Sequence, residues 1–114
     1  MTKYLISFPS EAMVLAPEDF DDVVRESHAV IEEAKAAGVY VFGGGINEDV
    51  LPVVVAADGT VADGTTYPDV AVPNGGYTVL DLPSRDAAVE WAAKIASACR
   101  CAQELREFQY DPES

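Results

Sequence analysis

The chain has 114 residues, 49% of them hydrophobic and 24% charged, the proportions of an ordinary globular protein with material for one core and not two. Twenty acidic residues against seven basic ones leave a formal charge of −13, which repels the phosphate backbone that supplies most nucleic-acid affinity and disfavours an anionic membrane surface. No apolar run approaches the roughly 18 to 20 residues that a membrane-spanning helix needs.

The segment from Met1 to Pro9 carries one lysine and a short alternating stretch with no small-residue cleavage site, so it reads as folded structure and not as an export signal. Lys3 to Phe8 is the first expected strand, with Tyr4, Ile6 and Phe8 on one side and Leu5 opposite. A helix then opens with Pro17 in its first turn, followed by Glu18 and Asp19 where the helix dipole favours acids. Phe20, Val23, Val24, Ser27, Val30, Ile31 and Ala34 recur at three- and four-residue steps as its buried stripe, and Gly38 is its stop. Val39 to Phe42 is the second strand, ending in Gly43-Gly44-Gly45.

Val50 to Ala56 is a third strand, held to an edge or a bulge by Pro52. Asp58-Gly59 turns it back through Thr60-Val61-Ala62 as an inserted hairpin. Asp63 to Gly76, rich in Gly, Thr, Pro, Asp and Asn, is an extended loop. Gly76 to Leu82 is a further strand, Ser84 caps a helix through Ala87, Ala88, Trp91, Ala92 and Ile95, and Leu105 to Phe108 closes the domain. Cys99 and Cys101 lack the Cys-x-x-Cys spacing of redox enzymes and read as reduced thiols of a cytoplasmic protein.

Strand, helix, strand, hairpin, strand, helix, strand describes a single α+β domain over residues 1–114. The expected architecture is a ferredoxin-like βαββαβ sandwich, with right-handed crossovers placing both helices on one face of an antiparallel sheet. The other face is left bare, and a homodimer in which two such sheets close into a shared barrel would cover it.

Several segments, taken in order, resemble the YCII-related family, in the branch often called DGPF-domain proteins. Lys3-Tyr4-Leu5-Ile6 is similar to that family's first strand, and His28, Gly38 and Val39 to Gly45 are similar to its passage from helix to strand to glycine-rich bend. Asp63-Gly64 stands at the first half of the Asp-Gly-Pro-Phe motif, with Thr65-Thr66 replacing the second half. Gly75-Gly76-Tyr77-Thr78-Val79, the helix containing Ala88-Val89-Glu90-Trp91-Ala92, and Glu104-Leu105-Arg106 complete the match. The resemblance implies a dimeric α+β barrel, a fold that hosts isomerases, mono-oxygenases, haem-handling enzymes and ligand-binding regulators and does not choose among them.

His28 is the only histidine, the one side chain whose unperturbed pKa lies near neutrality, and it falls at the border of the first helix's apolar stripe beside Val24 and Ile31. The resemblance implies that a histidine in this place pairs with an aspartate as an acid–base dyad. Asp49 follows the glycine-rich turn and Asp63 keeps the motif position, so these are the candidate partners; an aspartate beside Gly or Asn also serves plain turn chemistry. Gly43-Gly44-Gly45 has no following helix N-terminus and no nearby lysine or arginine, which argues against a phosphate loop. One histidine and two adjacent cysteines lack the number and spacing of a metal site, so no metal or other cofactor is expected. Two functions remain: an isomerase- or lyase-like enzyme in which His28 moves a proton on an uncharged or cationic small organic molecule, and a non-catalytic module that binds a metabolite or a protein.

Overall fold

In the computed structural model, which describes residues 1–64, 67, 69, 70 and 73–114, the alternating segment Thr2–Phe8 forms strand β1 and buries Tyr4 and Ile6. Pro17–Asp19 is a single 3-10 turn, in which the Asp19 amide donates to the Ala16 carbonyl at 2.9 Å, and helix α1 spans Phe20–Ala36. The proline therefore precedes the α-helix instead of opening it, because 3-10 turns are a common entry to an α-helix. Along the expected stripe Val23 and Ala34 are buried and Ser27, Val30 and Ile31 half-buried, whereas Phe20 at the helix entry is exposed.

Strand β2 spans Tyr40–Gly45 and so runs on through the three glycines where the sequence suggested an end at Phe42. Pairing overrides glycine's low strand preference: Gly43, Gly44 and Gly45 face Thr78, Tyr77 and Gly76 across an antiparallel ladder, with a bulge between Tyr40 and Phe42. Strands β3 (Val53–Val55) and β4 (Val61–Asp63) make the expected hairpin, with β3 shorter than the expected Val50 to Ala56. Pro52 has no N–H to give and its carbonyl accepts from Gly64 N at 3.1 Å, so the ladder begins after it. Asp58 Oδ1 accepts from the Thr60 amide at 2.9 Å and shapes the turn. Thr65, Thr66, Pro68, Ala71 and Val72, in the loop that follows, lie outside the described residues.

Strand β5 (Gly76–Leu82), helix α2 (Arg85–Cys99) and strand β6 (Glu104–Glu107) complete the fold, β6 lying one residue earlier than expected. The four-stranded sheet has the order β2-β5-β1-β6 with every neighbouring pair antiparallel. Both helices pack on the face carrying Tyr4, Ile6, Leu80 and Leu82, where Ala34, Ala88, Ile95 and Cys99 close the core. Ile6, Leu80 and Leu82 are the largest fully buried side chains, each stabilising the fold by about 1.5–3 kcal/mol. The helices are tied by Lys94–Glu33 and Arg100–Glu26 ion pairs, which at their exposure are screened by water and add little to stability.

Ser84 Oγ accepts from the Ala87 amide at 3.1 Å, satisfying one of the orphan donors at the α2 N-terminus. Ser84→Ala is expected to cost about 0.5–2 kcal/mol, read as a lower urea midpoint with an unchanged slope.

By register, Leu5, Val79 and Phe42 share the opposite sheet face with Lys3, Asp81, Glu104 and Arg106. No helix lies on that face, and Phe42 is 61% exposed. The β3–β4 hairpin forms its own two-stranded sheet with Val53, Val55 and Val61 exposed. The radius of gyration is 16.0 Å, against about 13 Å for a compact chain of this size.

Candidate functional site

Two glycine runs meet across the sheet, Gly45 pairing with Gly76, and the backbone there carries no side chains to fill the space beneath the helices. What results is a cavity of about 450 Å³ between sheet and helices. Its sheet side is Phe8, Tyr40, Thr78, Leu80 and the glycines; α1 contributes Ser27, His28, Val30, Ile31 and Ala34; α2 contributes Trp91, Ile95, Ala98 and Cys99. This is the size and predominantly apolar character of a small-molecule pocket.

Polar groups are few. The Tyr40 hydroxyl lies over Gly43, 3.0 Å from where a Cβ on that residue would stand, so the missing side chain makes room for it. Ser10 sits at the mouth in a cluster that joins three loops: its hydroxyl bonds Glu48 Oε1 at 3.0 Å, its amide donates to Asn74 Oδ1 at 3.2 Å, and Asn74 Nδ2 donates to Glu11 Oε1 at 3.1 Å. His28 lines the cavity while remaining exposed, as expected of a residue at the stripe's border.

Asp49 and Asp63 are exposed and do not line the cavity. The Asp49 amide donates to Asn47 Oδ1 at 3.1 Å in a local turn, and Asp63 ends β4 opposite Val53. Among the described residues no carboxylate pairs with the His28 ring, so the single chain brings His28 to the cavity without either aspartate. Comparison with protein-family models gave no match. Comparison with curated proteins gave none either.

Strand aromatics such as Phe8, Tyr40 and Tyr77 are residues the sequence offers either for a pocket wall or for core and dimer packing, and all three line the cavity; Ser10, Thr78 and Cys99 were missed as cavity residues. One signal was available: glycines inside a strand mark places where something approaches the backbone closely, and here two such runs are paired. No group of three or more His, Cys, Asp or Glu side chains gathers among the described residues, and no helix among them is long and apolar enough to cross a membrane.

Cys99 forms part of the cavity wall and is 7% exposed; burial, and then the neighbouring Cys101, push its thiol above the ordinary value. Burial likewise raises Cys101 and Tyr4, the latter with help from Glu107. These groups hold their protons longer folded than unfolded, so above the ordinary thiol value the unfolded chain binds fewer protons and stability falls as pH rises. The urea midpoint is expected to drop steadily between about pH 8.5 and 10.5, and iodoacetamide at pH 8 should modify Cys99 far more slowly than the unfolded chain. A flat midpoint over that range would contradict the burial of these groups.

Proposed function

We propose that this protein is a small-molecule-binding α+β-barrel protein in which His28 exchanges a proton with a ligand held between helices and sheet. The observation that carries the reading is the coincidence of the chain's only histidine with the mouth of an apolar cavity. With the hairpin set aside, the strand order β2-β5-β1-β6 supports a ferredoxin-like arrangement, and with the segments from Lys3 to Arg106 it supports kinship with the YCII-related, DGPF-domain proteins. The test is His28→Asn, which should leave folding nearly intact while removing turnover or weakening binding. The lack of a carboxylate partner for His28 in the single chain favours a second reading, a non-catalytic binding module with the same pocket. In that case His28→Asn changes affinity and no product is ever formed.

The assembly we propose is a homodimer closed over the bare sheet face. That face carries Lys3 and Arg106 against Asp81 and Glu104, a local balance on a chain of charge −13, so a second copy meets least repulsion there. Sedimentation should return about twice 12.1 kDa at micromolar concentration. A stable 12.1 kDa species would contradict it. Free Cys99 and Cys101 suit a reducing, cytoplasmic setting.

A further inference from the structure

The cavity wall combines a large apolar area with a shortage of charge. Phe8, Ile31, Leu80, Trp91 and Ile95 are among its apolar residues, and His28 at the mouth is its one ionisable nitrogen. No lysine, arginine, aspartate or glutamate lines it. The two nearest cations by ring contact, Lys35 at 5.2 Å from the Tyr40 centroid and Lys94 at 4.8 Å from that of Trp91, are each paired with a carboxylate, Glu32 and Glu33 respectively. A charged ligand lodged against this wall loses its hydration and meets no counter-ion there, a cost that a neutral molecule does not meet. Cys99 adds a thiol kept neutral by burial, in keeping with an apolar wall.

Among the hydroxyls of this wall, that of Tyr40 is the one packed against a glycine that makes room for it. The Tyr40 hydroxyl stands 3.0 Å from where a Cβ at position 43 would be, and no hydrogen-bond partner for it is found among the described residues. A buried or half-buried phenol ordinarily finds a partner, and here the empty volume beside it is where a ligand atom would stand.

We propose that the cavity takes an uncharged, largely apolar ring-sized molecule whose polar end is met by the Tyr40 hydroxyl. This rests on the reading of the cavity as a small-molecule site and adds the ligand's chemical class and the residue that selects it.

Three probes with one ring system test it: 2-naphthol, 2-naphthoate and 2-naphthylmethylammonium, titrated at neutral pH and physiological salt while the fluorescence of Trp91, the only tryptophan, is followed. Naphthol should quench saturably, with both ions at least tenfold weaker. In Tyr40→Phe, naphthol should weaken about three- to tenfold, the worth of one hydrogen bond, while unsubstituted naphthalene binds as before. Saturable binding of either ion as tight as that of naphthol overturns the ligand class and leaves the site standing. Unchanged naphthol affinity in Tyr40→Phe overturns the role of Tyr40. Failure of every probe to perturb Trp91 in a folded protein overturns the site itself, and the ligand class with it.

Discussion

Gly75→Ala is expected to destabilise the protein by more than about 3 kcal/mol, one of the largest effects open to a single methyl group. Gly75 has φ +78, a left-handed conformation that costs an L-residue about 1–2 kcal/mol. A Cβ there would also stand 2.0 Å from the Phe8 carbonyl oxygen, 2.8 Å from Ser10 N and 2.9 Å from the Pro9 carbonyl carbon. All three are backbone atoms, so no rotamer change relieves the clash, and the exit of β1 or the entry of β5 must move. That shift would break the bond from Ile46 N to Gly75 O, 2.9 Å, and the Asn74 bond to Ser10 N, and with them the frame of the cavity mouth. Gly59→Ala is the control: φ is +89, but nothing lies within 4 Å of the added methyl, so only the backbone term is lost. Equal urea midpoints for the two variants would contradict the close packing at Gly75.

The second large effect belongs to His28. If it moves a proton in the reaction, His28→Asn should lower kcat by about 10²–10⁴-fold, the usual worth of general acid–base catalysis. Stability should change by no more than about 0.5 kcal/mol, because the side chain is exposed and forms no ion pair among the described residues. A histidine satisfied within the fold predicts the reverse, a loss of about 1–3 kcal/mol with binding untouched. Circular dichroism during urea unfolding, run beside the binding or turnover assay, separates the two.

Much of the fold was legible because local signals and tertiary packing agree. Ser84 before an apolar-periodic run marks the start of α2, the alternation of Tyr4 and Ile6 marks the buried face of β1, and Asp58-Gly59 marks the hairpin turn. Boundaries failed where long-range pairing decides: the β2 glycines are strand only because β5 lies beside them, and β3 is short because Pro52 is spent on a turn contact with Gly64. The site was legible in one residue. The helical phase of His28 places it at the border of the stripe, and the border is the cavity mouth. Ser10, Thr78 and Cys99 were hidden because what joins them is a space between the sheet and the helices, which no periodicity encodes. Asp49 and Asp63 were chosen by their places along the chain, and in the single chain those places lie away from the cavity wall.

The most direct measurement uses the fact that the chain has a single histidine, so the imidazole Cδ2–H and Cε1–H NMR resonances belong to His28 without assignment work. Titrated with 2-naphthol at neutral pH, those resonances should shift saturably, with the same midpoint as the quenching of Trp91, because both side chains line one cavity. Imidazole resonances that stay fixed while Trp91 responds would separate His28 from the ligand and contradict the account.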